Sequence, residues 1–331
     1  LVAALALVAA IVAASAHAAP PPTLTRFLRT AAKLDNSEIA SLEKGAVVTK
    51  QLPASDDAEI AAFGIVKVAG TLAKFEALAG DPRRYYAMEG VDRIGVFSNP
   101  PVPTDVDALA IPKDDIDALR TCKPGSCDVK LTDRALARIA RVDWSAPNAT
   151  AQATTICKEM ISKLAANYRN GGMEALGTIV DKQESKSRAG EFNHLLGASP
   201  YLYEYIPAFQ NYLKQYPSAS YDDAKTTLYW SADSFSPKPV ISVNACTLAH
   251  ADNTVLLASQ LLAATHFFNA GLDMCVAVPE ESGPGLYLVD VYRVRIDPPT
   301  GMLAGPAMKR VKDGTEKGVE KRLSAVSARL K

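Results

Sequence analysis

Apolar residues recur along this chain with two different periods, and the period changes twice. Residues 46–52 (AVVTKQL) and 60–70 (IAAFGIVKVAG) are β-branched runs separated by the polar turn PASDDAE, which predicts an antiparallel pair. Residues 71–81 come next, with Leu72, Phe75, Leu78 and Ala79 on one helical face and Gly80 as a stop. Residues 91–98 (VDRIGVFS) predict a third strand, and the Pro-rich stretch 99–112 then ends regular structure. From Lys113 to Pro217 the period is helical. Acidic residues open the helix at 113–121, as the helix dipole favours. Leu136, Ile139 and Ala140 mark a second helix. Ile156, Met160, Leu164 and Tyr168 lie four apart along a third, which stops at Gly171 and Gly172. EFNHLLG (191–197) and residues 201–217 predict two more.

From Lys225 the period returns to two. Five apolar runs, 225–234, 239–249, 254–264, 266–278 and 285–297, are joined by short polar turns and predict an antiparallel meander. A final helix comes after Pro298-Pro299-Thr300-Gly301. It turns Val311, Val319, Leu323 and Val326 inward and fills its outer face with Lys and Arg.

The front of the chain has another texture. Residues 1–14 are an apolar run too short for a comfortable membrane span. Ala16-His17-Ala18 suits signal peptidase, and Pro20 to Pro22 interrupt regular structure just after it. Residues 1–18 are thus expected to be a secretory signal whose charged start is missing. Residues 23–43 predict helical segments ending at Gly45. The expected organisation is a signal (1–18), an N-terminal helical segment (19–44), a first body part (45–99), an all-helical insertion (100–224) and a second body part (225–331). After signal removal about 313 residues remain, with no further run able to span a bilayer, so a periplasmic or secreted protein is expected.

Lys+Arg and Asp+Glu balance at 36 each, which argues against a broad nucleic-acid or anionic-membrane surface. Of five cysteines, Cys122 and Cys127 bracket a Lys-Pro-Gly-Ser turn. In an exported chain they are expected to form a disulfide rather than remain free thiols or serve a metal or redox role. A zinc site would need further soft ligands at matching spacing, and none is evident. Cys157 is expected as a small buried hydrophobe. No nucleophile elbow, dinucleotide fingerprint or phosphate loop occurs, so no catalytic residue, metal or cofactor is assigned.

Two stretches carry a family likeness. One runs from Ile65 to Thr71 into the helix ending at Gly80-Asp81-Pro82-Arg83-Arg84-Tyr85, then to the strand Val91 to Phe97. The other runs from Tyr287 to Asp297 and on into the last helix. With this order of elements the chain resembles START-like (SRPBCC) domains, the lipid-transfer and polyketide-cyclase superfamily. It also resembles exported bacterial proteins without an assigned function. The likeness covers about half of the chain after residue 18, and the insertion departs from the family pattern. It implies an α+β helix-grip fold: a curved antiparallel sheet wrapped on the C-terminal helix, with an apolar tunnel between them. It further implies a hydrophobic partner of the lipid, sterol or isoprenoid class.

Within that picture six residues are candidate ligand contacts. His266 sits mid-strand among aromatics and would be a polar anchor or general base, or a hydrogen-bonded structural residue. Arg293 and Arg295 share a strand face, where they would hold an anionic head group or form ion pairs on a solvated outer face. Trp230 and Tyr229 alternate, so only one is expected to face the core. Asn244, polar in an apolar strand, needs partners if buried. Tyr292 lies on the face opposite the arginines. The expected function is non-enzymatic carriage of a hydrophobic ligand. The rivals are a cyclase- or hydrolase-like enzyme in which His266 and Asn244 converge, and an envelope interaction protein acting through an apolar patch on the insertion.

Overall fold

A computed structural model describes residues 20–234 and 238–331, and the expected signal segment lies outside them. The chain begins with α1 (Pro22–Thr30), α2 (Asn36–Glu43), β1 (Val48–Gln51) and β2 (Glu59–Ala69). Helices α3 (Leu72–Ala79) and α4 (Pro82–Tyr85) lead to β3 (Val91–Val96). The insertion holds α5 (Lys113–Leu119), α6 (Asp133–Ile139), α7 (Ala149–Gly171), the short strands β4 (Thr178–Ile179) and β5 (Lys186–Ser187), α8 (Arg188–Gly197), α9 (Pro200–Tyr205) and α10 (Pro207–Gln215). It is therefore not all-helical. Thr178 and Ile179 pair with Ser187 and Lys186, and the bridge from Ile179 to Thr132 adds a further partner. Pro207 starts a separate helix where one continuous aromatic segment was expected. Strands β6 (Lys225–Asp233), β7 (Val240–Ala251), β8 (Thr254–Ala264), β9 (Phe268–Pro279) and β10 (Gly285–Ile296) precede α11 (Ala304–Leu330).

Eight strands form one antiparallel sheet in the order β1-β2-β10-β9-β8-β7-β6-β3. The architecture is α+β. Local chemistry explains the entry to several elements. Asp35 accepts from the backbone of Ser37 and Glu38, and Glu38 reaches back to Asp35, a capping box that starts α2. Thr71 caps α3.

Both faces of the sheet are covered, which is why the long strands read as almost continuously apolar. Along β10, Leu286, Leu288 and Tyr292 pack towards α3, α4 and α11, while Tyr287, Val289 and Val291 pack towards the insertion and α1. Tyr229 and Trp230 are both buried for this reason, against the expectation that only one could be. The larger apolar cluster is on the insertion side and includes Phe192, Leu202, Phe209 and Leu213 from α8, α9 and α10. On the other side α11 lies mainly along β2 and β1 at the sheet edge. Gly64 permits that docking: a Cβ there would come within 2.5 Å of Val319 Cγ1 and 2.7 Å of Leu323 Cδ1. No described helix is long and apolar enough to cross a membrane. Cys122 and Cys127 form a disulfide with an S–S distance of 2.02 Å.

Candidate functional site

The insertion meets the sheet over a cavity of about 480 Å³. Its roof is built from α5, α6 and α7, through Leu119, Met160, Ile161 and Leu164. Ile241, Val243, Ala263 and Ala264 of β7 and β8 form the floor. Helix α7 is held there by a polar tie, since Tyr168 donates to Gln260 Oε1 on β8 at 2.7 Å and Gln260 donates to the Leu213 carbonyl of α10. Of the stripe predicted on α7, Met160 and Leu164 line this cavity, while Ile156 and Tyr168 pack into apolar clusters on either side of it. Ile156, Met160 and Leu164 are half-buried, while Ala153, Ala165 and Tyr168 make the tight contacts. Cys157 also faces the cavity and is half-buried instead of fully buried. Burial, with Asp115 nearby, pushes its thiol up to about 12.

Two charged residues in the lining are buried with a polar atom left open. Arg188, 2% exposed, donates one Nη to the Leu262 carbonyl at 3.1 Å, while its Nε has no partner among the described residues. Burial lowers its pKa to about 10, with Asp181 opposing that change. Asp115 accepts from or donates to His266 Nε2 at 2.9 Å through Oδ1, and its Oδ2 is unpartnered. Beside Arg188, Lys130 reaches Asp297, Asn269 and Asp181 at 2.5, 2.9 and 3.4 Å, and Lys186 reaches Asp297 at 3.2 Å. Burial works to raise the Asp297 pKa, but Lys130, Asn269 and Lys186 hold it below the usual carboxylate value. A second cavity of about 320 Å³ lies between α1, α9 and the ends of β7 to β10, lined by Phe27, Tyr205, Met274 and Val291.

The α11 face carries a different group. Arg322 donates in a fork to Asp290, from Nε at 3.0 Å and from Nη2 at 2.7 Å. Asp273 Oδ1 lies 2.9 Å from the same Nη2, but off the hydrogen-bond direction. Burial pushes Asp273 up to about 7; Arg322 opposes the rise, Asp290 adds to it, and the Tyr86 hydroxyl opposes it. Asp290 is likewise raised, by burial against the pull of Arg322. Strand register extends this cluster across the sheet. Tyr292 opposes Asp273, Asp273 opposes Ser259, and Ser259 bonds the Tyr229 hydroxyl at 3.0 Å.

The six expected contacts are divided between the two faces, and none lines either cavity. Tyr292 and Asn244 share the α11 face. Tyr292 stacks under Arg322, 5.7 Å from its Cζ, and Asn244 donates to Ser242 Oγ at 2.8 Å. Trp230 is on the insertion face, packed over Gly95 and donating to the Asp105 carbonyl at 2.9 Å. His266, Arg293 and Arg295 tie other segments to the sheet. Besides Asp115, His266 meets the Asp128 carbonyl at 3.0 Å. Arg293 pairs with Glu59 and donates to Tyr201 at 3.0 Å, while Arg295 reaches Glu191 at 2.8 Å and Asp56 at 2.9 Å. The arginine face is therefore buried and not solvated, because Glu59 of β2, Asp56 just before it and Glu191 of the insertion supply carboxylates over it. His266 and Asn244 do not converge.

Sequence reasoning missed Arg188, Asp273, Asp290 and Arg322. The two aspartates were visible as lone acids inside apolar strand runs. Arg188 was visible as a cation in the first turn of a helix, where the dipole disfavours it. Arg322, expected with the other cations on the outer face of α11, is instead 9% exposed.

No protein-family model and no curated protein matches this chain. Among solved structures, TTHA0849 from Thermus thermophilus aligns with a TM-score of 0.27 and 15% identity, over 39% of this chain and 85% of that one.

Proposed function

We propose that this protein binds and carries a hydrophobic ligand in the cavity between the helical insertion and the sheet. The observation that carries this is the cavity itself, about 480 Å³, with an aliphatic floor and a roof of aliphatic and charged side chains, within the roughly 300–1,000 Å³ typical of small-molecule sites. It replaces the expected tunnel beneath the C-terminal helix, since both cavities lie on the opposite face of the sheet. A START-like helix-grip ancestry for the body is part of the proposal. It is supported by the strand order β2-β10-β9-β8-β7-β6-β3, the α3–α4 link from β2 to β3, and a terminal helix packed on β2. Periplasmic or secreted action is also proposed, in keeping with the Cys122–Cys127 disulfide.

Native mass spectrometry with organic extraction tests the function directly on protein purified from its native or a related host. A stoichiometric co-purifying lipid, displaced from a Leu164→Trp variant, is the expected result. A clean apo mass with no uptake from a lipid panel overturns carriage.

A second function draws on the α11 face. Asp273, held near neutrality beside Arg322 and the Tyr86 hydroxyl, has the attributes of a general acid or base. An enzyme of the cyclase or hydrolase type would use this cluster instead of His266. Turnover abolished in Asp273→Asn would favour it, and turnover unchanged in that variant would dismiss it. The interaction function has less support, because Val102 and Tyr203 are the exposed large apolar side chains of the described insertion.

A further inference from the structure

We propose that the ligand of the insertion cavity is an amphipathic acid whose carboxylate is held by Arg188. This rests on the cavity being a ligand site, and it names the chemical class that the site selects.

The inference starts from one buried cation that has no carboxylate partner. Three cations, Lys130, Lys186 and Arg188, cluster with two carboxylates, Asp181 and Asp297. Lys130 and Lys186 are directly paired. Arg188 makes no ion pair among the described residues, although only 2% of it is exposed. A buried, unpaired cation is costly, and natural interiors rarely keep one without a partner. Arg188 lines the cavity, and its Nε is left without an acceptor. It also occupies the first turn of α8, where the open backbone N–H groups add positive potential.

The missing partner is therefore an anion brought in by the ligand, bound through the charge-assisted contacts that a guanidinium makes with a carboxylate. The rest of the lining selects the remainder of the molecule. Met160, Ile161 and Leu164 accept an aliphatic body, beside a polar margin that includes Arg138, Lys163 and Asn167. Asp115, bonded to His266 through Oδ1 and open at Oδ2, borders the same cavity and supplies an oxygen that disfavours a second acidic group there. A monoanion with one apolar tail satisfies all three conditions.

Isothermal titration of the intact protein with dodecanoate and with dodecanol at neutral pH tests this without any mutation. Dodecanoate is expected to bind with one-to-one stoichiometry and at least about tenfold more tightly than dodecanol, as one charge-assisted contact provides. Arg188→Met should remove that preference, bringing dodecanoate down to the affinity of dodecanol in the same variant, and Arg188→Lys should keep part of it. Equal affinity for the two probes in the unmodified protein overturns the anchor but leaves the cavity as a neutral-ligand site. So does a preference for dodecanoate that survives in Arg188→Met. If neither probe binds, and no lipid co-purifies, the cavity site and the anchor both fall.

Discussion

On each face of the central sheet a buried arginine is matched differently with carboxylates. Beneath α11, one guanidinium, Arg322, meets two carboxylates, Asp273 and Asp290. Beneath the insertion, Lys130 and Lys186 are paired with Asp181 and Asp297, whereas the neighbouring Arg188 has no carboxylate partner among the described residues. The difference lies in how each unmatched charge is relieved. A carboxylate takes up a proton, so the α11 face neutralises itself, with Asp273 pushed up to about 7. A guanidinium does not discharge near neutrality even when burial lowers it to about 10. The α11 face is closely packed at Gly64, whereas the insertion face has a cavity and, in Arg188, a buried cation with no carboxylate partner among the described residues.

The largest test of this contrast is to remove each arginine. Arg322→Met leaves two carboxylates buried without a cation and should cost about 3–5 kcal/mol in urea unfolding at pH 8. The loss should shrink at pH 5, where the acids accept protons. Arg188→Met, which deletes a charge with no carboxylate partner, should leave stability within about 1 kcal/mol of the parent or raise it. Similar losses for both would end the distinction.

Next in size is the pH dependence of the aspartate. The folded-state pKa of Asp273 lies above its unfolded value, so the native state holds the extra proton. Its contribution is intact at about pH 4 and lost as pH rises through about 7. Asp273→Asn removes that loss. The variant should gain on the parent by roughly 2–4 kcal/mol between pH 4 and pH 8, since each tenfold change in proton affinity between the folded and unfolded states is worth about 1.4 kcal/mol. A constant difference across that range would show that the cluster does not titrate.

Packing gives the smallest test. Gly64→Ala forces a Cβ against Val319 and Leu323 and should cost about 1–3 kcal/mol. Ala264→Val enlarges a side chain that borders open volume, so it should cost less than about 1 kcal/mol while reducing ligand uptake. Thermal melts of the two variants side by side would show whether one face is filled and the other is not.

Much of this fold could be read from the chain. The change from period two to a helical period and back located β2, β3, the helices from α5 to α10 and the five-strand meander to within a few residues, because side-chain direction is set by local geometry. The disulfide was legible in two cysteines flanking a tight turn. What escaped was the destination of polar side chains. His266, Arg293 and Arg295 looked like candidate ligand contacts, but each finds a carboxylate more than a hundred positions away, in Asp115, Glu59 and Glu191 respectively. Periodicity along one segment carries no information about what a distant segment lays over it.

The order of residues was therefore enough to say which segments become strands, which become helices, and which of their faces are apolar, since these depend on neighbours a few positions apart. Which charges cancel was settled by the assembled fold alone. That balance depends on distances between segments far apart in the chain, and it left Asp273 with a raised pKa and Arg188 buried without a carboxylate partner.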